Sequence, residues 1–317
     1  MKILWITKNA SNNLTGGTKV SWNYRSEIKK TAEFGDLTLL AKNNFDTNVT
    51  ISKLDFVKQF RKLRKEHFDV VFFDDHYSFL SLFIRKKKSF LFYHGNWPDL
   101  MFTSFNYFIK GLFLYPLYLI GMMNVKKVIF VNPYFETKFK KIAKTTTTLF
   151  NPLSIDVQSS NTKKSTEILM VGNVDSRKYN NLLKLLDNKK YSKYVFVIYG
   201  KIIDKNIAFK LSKYSNIVLK GMVSRIPYEE FAIHFSCSKA ENLPLSLFEA
   251  LKNNLLCIYP KLPNYSFLFD NENIMFYEKL ADINFEDQKK RVSMKDSNTF
   301  NFLKVTYSDN LKTLLKR

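Results

Sequence analysis

The chain opens with KILWITKN, a short apolar run leading into a polar loop that holds Gly16 and Gly17, and VSWNYRSEIKK follows with Val20, Tyr24 and Ile28 at helical spacing. The pattern predicts strand, glycine loop, helix. Further apolar, β-rich runs come at 37–41, 69–73, 89–93 and 127–131, separated by segments long enough for helices, such as ISKLDFVKQFRKLRKEH. A second series starts with EILMVGN at Glu167 and continues through YVFVIYG, NIVLKG, FAIHFSC and LLCIYP. Strands alternating with helices predict parallel sheets covered on both faces, so the chain is α/β with the architecture repeated.

Between the two series lies KTTTTLFNPLSIDVQSSNTKKST, which has no sustained periodicity and is rich in Thr, Ser, Asn and Lys. It marks an interdomain linker, with a first domain over 1–151 and a second over 152–303. The last stretch, FNFLKVTYSDNLKTLLKR, predicts a helix whose docking place the pattern leaves open.

Length and composition agree with two folded domains: 317 residues, 45% hydrophobic, with only 9 Gly and 8 Pro, exclude a disordered or collagen-like chain. Charge adds more. There are 50 Lys and Arg against 28 Asp and Glu, a formal +22, distributed as 24 against 11 over 1–150 and 26 against 17 over 151–317. The excess belongs to both domains and points to a polyanionic partner or an anionic surface. Cys237 and Cys257 are too few for a disulfide scaffold and read as reduced small hydrophobes of a cytoplasmic protein. The apolar start is broken by Thr7 and Lys8, short of a signal-peptide core, and no stretch reaches the ~18 apolar residues of a membrane span.

Each half opens with a strand, a loop of small or polar residues and a helix, which points backbone N–H groups and a positive helix end at an anion. Gly16 and Gly17 suit either close approach of backbone to a ligand or an ordinary turn. In GNVDSRKYNNLLKLL, Arg177 and Lys178 stand at a helix start, where they can neutralise phosphate or simply face solvent. The strongest signal is SCSKAENLPLSLFEALKNN. Glu241 and Glu249 flank a helix start containing proline, with Leu245, Phe248 and Leu251 as a core-facing stripe and Glu249 about two turns in. The amides of Leu243, Leu245 and Ser246 lie between the carboxylates as an anion site. Carboxylates on either side of an anion site grip hydroxyls, which describes a sugar, a diphosphate and a ribose.

On these motifs the chain resembles the GT-B glycosyltransferases of family 4, the retaining class that uses nucleotide sugars. The Glu-x7-Glu element is Glu241 to Glu249; GNVDSRK resembles the family's G-R-L-x-x-x-K, with Gly172 and Lys178 in place. The glycine loop is Gly16 and Gly17, FNPLSID over 150–156 resembles the family's interdomain segment, and Gly221 resembles the turn that leads toward the Glu element. The resemblance implies two Rossmann-like domains facing across a cleft, with the C-terminal helix, about 304–317, strapped back onto the first. It implies that Glu241 contacts the donor sugar, Glu249 the ribose and Lys178 the diphosphate of a nucleotide-sugar co-substrate, with no cofactor beyond it; a phosphate site at a helix end with basic neighbours removes the need for a metal. Asn173 departs from the family's usual Arg, and Arg177 is expected to supply the missing charge.

His94, in FLFYHGNWPDL at the carboxyl end of a strand, matches a histidine that family members often carry near the donor sugar. It counts with Glu241 and Lys178 as an expected catalytic residue. His76 also ends a strand, whereas His67 and His234 read as structural. Asp74 and Asp75 form an acidic pair that the other large glycosyltransferase fold would use for a metal; without a further carboxylate at ligand spacing they read as structural.

Residues 111–123 carry no charge and are rich in Phe, Leu and Tyr, with Pro116 expected to kink or break a helix there. This segment reads as a core helix or as an interfacial surface, with basic clusters at 61–65 and 85–88. The expected partners are therefore a nucleotide sugar, a glycan or lipid-linked acceptor and an anionic membrane surface that would hold the protein peripherally. Two rivals stand beside this: a GT-B-like protein that binds without turnover, which Asn173 keeps open, and a nucleic-acid binder, which fits poorly because no RNA or DNA module is evident.

Overall fold

A computed structural model describes residues 1–10, 17–44, 49–84, 88–152, 164–286 and 306–315. The chain divides into two compact units, one of Met1–Pro152 with Phe302–Arg317, the other of Leu153–Asn301. Both are α/β, and each is Rossmann-like in strand order.

In unit 1 the strands are β1 (Lys2–Asn9), β2 (Asp36–Asn44), β3 (Val49–Thr50), β4 (Val70–Asp74), β5 (Lys88–Tyr93), β6 (Lys127–Phe130) and β7 (Thr146–Thr148). They are ordered β3-β2-β1-β4-β5-β6-β7, all parallel except the β2–β3 pair at one edge. Residues 3–6 of β1 and 70–73 of β4 are fully buried, as continuous apolar runs in the centre of a sheet with both faces covered must be. The helices are α1 (Gly17–Lys30), α2 (Lys53–Leu63), α3 (Phe105–Asn124) and α4 (Pro133–Phe139). α1 turns Val20, Tyr24 and Ile28 into the core, and the Ser52 side chain caps α2 by accepting from Asp55 N–H.

Unit 2 contains β8 (Lys164–Val171), β9 (Val195–Tyr199), β10 (Ile217–Gly221), β11 (Phe231–Phe235), β12 (Leu256–Pro260) and β13 (Ile274–Tyr277), in the order β10-β9-β8-β11-β12-β13 and parallel throughout. Its helices are α5 (Ser176–Leu186), α6 (Lys205–Leu211) and α7 (Leu245–Lys252). The final helix, α8 (Tyr307–Leu315), packs in unit 1: Asn310 Nδ2 donates to Tyr24 Oη at 2.7 Å, and Tyr307 Oη donates to the Pro152 carbonyl at 3.1 Å.

The structure differs from the sequence pattern in several places. The Thr-rich start of the expected linker forms β7, because β-branched residues suit an edge strand even without apolar alternation. β13 has no counterpart in the second apolar series, being four residues long and buried only at its two ends. α3 continues through Pro116. Proline deprives one carbonyl, that of Leu112, of its partner; Leu112 and Pro116 both lie on the exposed side, where water can replace it. In α7, Leu247 rather than Leu245 is fully buried, and Glu249 comes just over one turn in because the helix begins only after Pro244. No helix among the described residues is long and apolar enough to cross a membrane.

Candidate functional site

In unit 2 the strand order reverses between β8 and β11, and ligands of open α/β sheets bind outside the carboxyl ends of strands at such a point. Gly172 directly follows β8, with φ at +148°, and a Cβ there would lie 2.5 Å from Lys178 Nζ. The glycine thus makes room for the lysine. Asp175 caps α5 by accepting from Lys178 N–H at 2.9 Å, which fixes the first turn that carries Arg177 and Lys178.

Both cations meet Glu241, in the loop after β11. Lys178 Nζ lies 2.7 Å and Arg177 Nη1 3.1 Å from Glu241 Oε1, and all three side chains are mostly buried. Burial pushes the Glu241 carboxyl up, but the Lys178 ammonium and Arg177 guanidinium outweigh it and hold the group at about 2. Arg177 also donates to the Ala240 carbonyl and, at 3.2 Å, to Ser238 Oγ, so it anchors the loop as well as charging it. Asn264 Nδ2 supports the same loop through the carbonyls of Glu241 and Asn242, at 2.7 and 2.9 Å. Arg177 Nη2 also lies 3.8 Å from Asp175 Oδ2, so the two cations face two carboxylates, and an anionic group that displaces Glu241 can take its place on both cations.

Glu249 stands on α7 and accepts from the Tyr228 hydroxyl at 2.6 Å. Burial and the nearby carboxylate push the Tyr228 pKa up, so its proton stays on to be donated. α7 has no side-chain cap, and the amides of Leu245 and Ser246 belong to the first turn, which a helix leaves without internal partners. Leu243 lies in the loop just before Pro244, and the partly exposed Asn173 in the turn between Gly172 and Val174. Buried His234 in β11 bonds through Nδ1 to the Tyr259 hydroxyl at 3.2 Å; burial first, then the Lys178 charge, pushes it down to about 3 and keeps it neutral.

Unit 1 also reverses strand order, between β1 and β4, and Asp74 ends β4 there. Its Oδ2 accepts from Ser21 Oγ and, at 3.1 Å, from Trp5 Nε1, with Arg25 Nη1 at 3.8 Å. Asp75, at φ +52°, accepts the N–H groups of His94 and Gly95, each at 2.9 Å. Both aspartates are thus engaged by the protein itself. The buried His94 ring stacks on Phe92, and its Nε2 lies 3.9 Å from Asp74 Oδ1; neither ring nitrogen has a hydrogen-bond partner among the described residues. Gly17 begins α1, while Gly16 and residues 153–156 of the FNPLSID segment lie outside the described residues.

The structure therefore joins Gly172, Arg177, Lys178 and Glu241, and holds Glu249 separately. The sequence pattern missed Ser238, Asn264 and Tyr228, each a distant residue whose role exists only through tertiary contact. Asp175 was detectable, since an Asp immediately before a helical run is a capping signal.

The sequence matches no protein-family model and no curated protein. Solved structures match along the whole chain, and they are GT-B glycosyltransferases. HepE of Anabaena, in complex with UDP and glucose, has a TM-score of 0.65 at 11% identity, covering 99% of this chain and 95% of that one. The lipopolysaccharide outer core galactosyltransferase WaaB, in its apo form, gives 0.61 at 14% identity over 99% of both chains. WaaG, a glycosyltransferase involved in lipopolysaccharide biosynthesis, gives 0.63 at 12% over 98% and 94%. Likeness at such identities defines the fold, which is GT-B.

Proposed function

We propose that the chain is a retaining, metal-independent glycosyltransferase of the family 4 type. It would move a sugar from a nucleoside diphosphate donor, a UDP-sugar first, to a glycan acceptor that is a lipid-linked or cell-envelope polysaccharide precursor. The observation that carries this is the convergence of Lys178, Arg177 and Glu241 at the β8/β11 switch point of a GT-B chain. The UDP held by HepE and the lipopolysaccharide roles of WaaB and WaaG support the donor and acceptor classes.

In this mechanism the diphosphate takes Lys178 and Arg177 from Glu241, aided by the first amides of α7, and the released carboxylate turns to the sugar hydroxyls. Charge that develops on the leaving diphosphate is stabilised by groups already in position. Glu249, aimed by Tyr228, grips the ribose. The acceptor hydroxyl attacks from the face the diphosphate leaves and passes its proton to the departing phosphate oxygen, so no protein nucleophile is required. His94, in unit 1, offers ring nitrogens with no hydrogen-bond partner among the described residues, and we assign it to a substrate hydroxyl.

The test is release of nucleoside diphosphate from a panel of nucleotide sugars given a cell-envelope glycan fraction. Release by the wild type and not by Lys178→Ala supports the transferase. A donor-binding protein without turnover is the second reading, favoured by Asn173 where the family usually has Arg; binding of a donor with no release under any acceptor would select it.

A further inference from the structure

β1 and β2 run in parallel register, with Thr7 opposite Ala41 and Asn9 opposite Asn43, which sets Lys8 beside Lys42 near the carboxyl ends of the two strands. The Asn9 and Asn43 side chains meet on one face of the sheet, Asn43 Nδ2 donating to Asn9 Oδ1 at 2.9 Å. Alternation along a strand turns both lysines to the other face, in line with the buried Leu4, Ile6 and Leu40. Two apolar rows thus end in two neighbouring cations. Lys8 is exposed and Lys42 half-buried, and like charges side by side on a sheet repel.

A third group joins them. His76 follows β4, the strand on the other side of β1, in the segment Asp75–Phe83. Its ring lies against those of Tyr77 and Tyr118, with centroids 4.6 and 6.0 Å away. Burial first, then the charges of Lys8 and Lys42, push the His76 ring down to about 4, so it stands neutral within the field of both ammonium groups. Among the described residues no carboxylate pairs with either lysine, and the His76 ring has no hydrogen-bond partner.

The chemistry of the cluster selects its ligand. A phosphate monoester carries about −1.5 to −2 charges at neutral pH, which two lysines match, and the neutral imidazole adds one N–H donor for its oxygens. A single carboxylate would leave one lysine uncompensated. The place fits as well, since open α/β sheets take ligands outside the carboxyl ends of their strands, and in unit 1 the order reverses between β1 and β4.

We propose that Lys8, Lys42 and His76 form an anion subsite of unit 1 that takes a phosphate group carried by the acceptor glycan. The assignment to the acceptor rests on the sugar-transfer reading, in which Lys178 and Arg177 of unit 2 take the donor diphosphate.

The test is titration calorimetry of the full chain with glucose 6-phosphate, with glucose and glucuronate as the uncharged and carboxylate controls and UDP as the probe of unit 2. Glucose 6-phosphate should bind the wild type and Lys178→Ala alike, and the double variant K8Q/K42Q roughly tenfold more weakly or worse, a difference that shrinks as salt is raised. UDP should bind K8Q/K42Q as it binds the wild type. Removing two neighbouring like charges should leave the melting temperature of K8Q/K42Q at or above that of the wild type, which separates lost binding from lost folding. Binding of glucose 6-phosphate through the lysines without any binding of UDP would support the subsite and count against the donor site alone. No binding of glucose 6-phosphate, equal binding by the wild type and K8Q/K42Q, its loss in Lys178→Ala, or glucose or glucuronate binding as tightly overturns the proposal.

Discussion

Lys178 Nζ and Glu241 Oε1 lie 2.7 Å apart, a helix-borne cation closed onto a carboxylate from the loop after the neighbouring central strand. The same carboxylate carries Arg177. On the proposed function, Glu241 occupies the cations that a diphosphate would use, and the two compete for them.

That competition predicts opposite effects of Glu241→Gln on binding and turnover. The variant should bind UDP at least as tightly as the wild type, because the competing charge is gone, yet lose transfer because the amide cannot grip sugar hydroxyls in the same way. Titration calorimetry with UDP, set beside turnover, checks this; weaker UDP binding contradicts it.

Glu241 also predicts an acid limb in stability. Its carboxyl titrates at about 2 in the fold instead of 4.5. A depressed carboxyl stabilises the folded state above its unfolded pKa, and that contribution fades as pH falls from about 4.5 toward about 2. Melting temperature across this window should fall more steeply for the wild type than for Glu241→Gln. Parallel curves would show that the pairing contributes nothing to the fold.

Lys178→Ala should lower turnover about 100- to 1,000-fold, the range for removing one preorganised donor to a developing anion. Arg177→Ala should also cut turnover and, because Arg177 holds the Ala240 carbonyl and Ser238, lower the melting temperature. If Arg177→Ala leaves donor affinity and turnover unchanged, Arg177 does not supply the charge missing at Asn173.

Tyr228→Phe removes the hydroxyl that donates to Glu249. A hydrogen bond to a charged group contributes about 1.5–3 kcal/mol to the fold, so the variant should melt lower, and affinity for a ribonucleotide donor should fall because Glu249 is no longer aimed. The decisive comparison is UDP against its 2′-deoxy analogue. Discrimination between them should shrink in the variant, and unchanged discrimination separates Glu249 from the ribose.

Gly172→Ala should displace Lys178 from Glu241, since the new Cβ meets Nζ and the residue sits at φ +148°. A non-glycine residue held in such a region costs about 1–3 kcal/mol, so both melting temperature and turnover should fall. Activity and stability equal to the wild type would remove Gly172 from the site.

Much of this was legible in the chain, for identifiable reasons. Val20, Tyr24 and Ile28 gave α1 because helical spacing survives in any helix with one buried face. Gly172, Lys178 and Glu241 were legible because a tight turn and a charged helix start leave local traces. β7 was not, as an edge strand of threonines carries no apolar alternation. Nor were the roles of Tyr228 and Asn264, whose bonds to Glu249 and the Glu241 loop join segments about 20 residues apart. The hub at Asp74 was half legible: an acidic pair after a strand stood out, but its commitment to Trp5, Ser21 and Arg25 required the fold.

The most direct measurement is thermal stabilisation by a panel of nucleotide sugars, run in parallel on the wild type and Lys178→Ala. A ligand bound by the folded state alone raises the melting temperature, by an amount that grows with the logarithm of its concentration over Kd. One donor, a UDP-sugar first, should raise the wild-type melting temperature by several degrees and leave Lys178→Ala unmoved. No shift with any donor, or the same shift in both proteins, would contradict a diphosphate site at Lys178, Arg177 and Glu241.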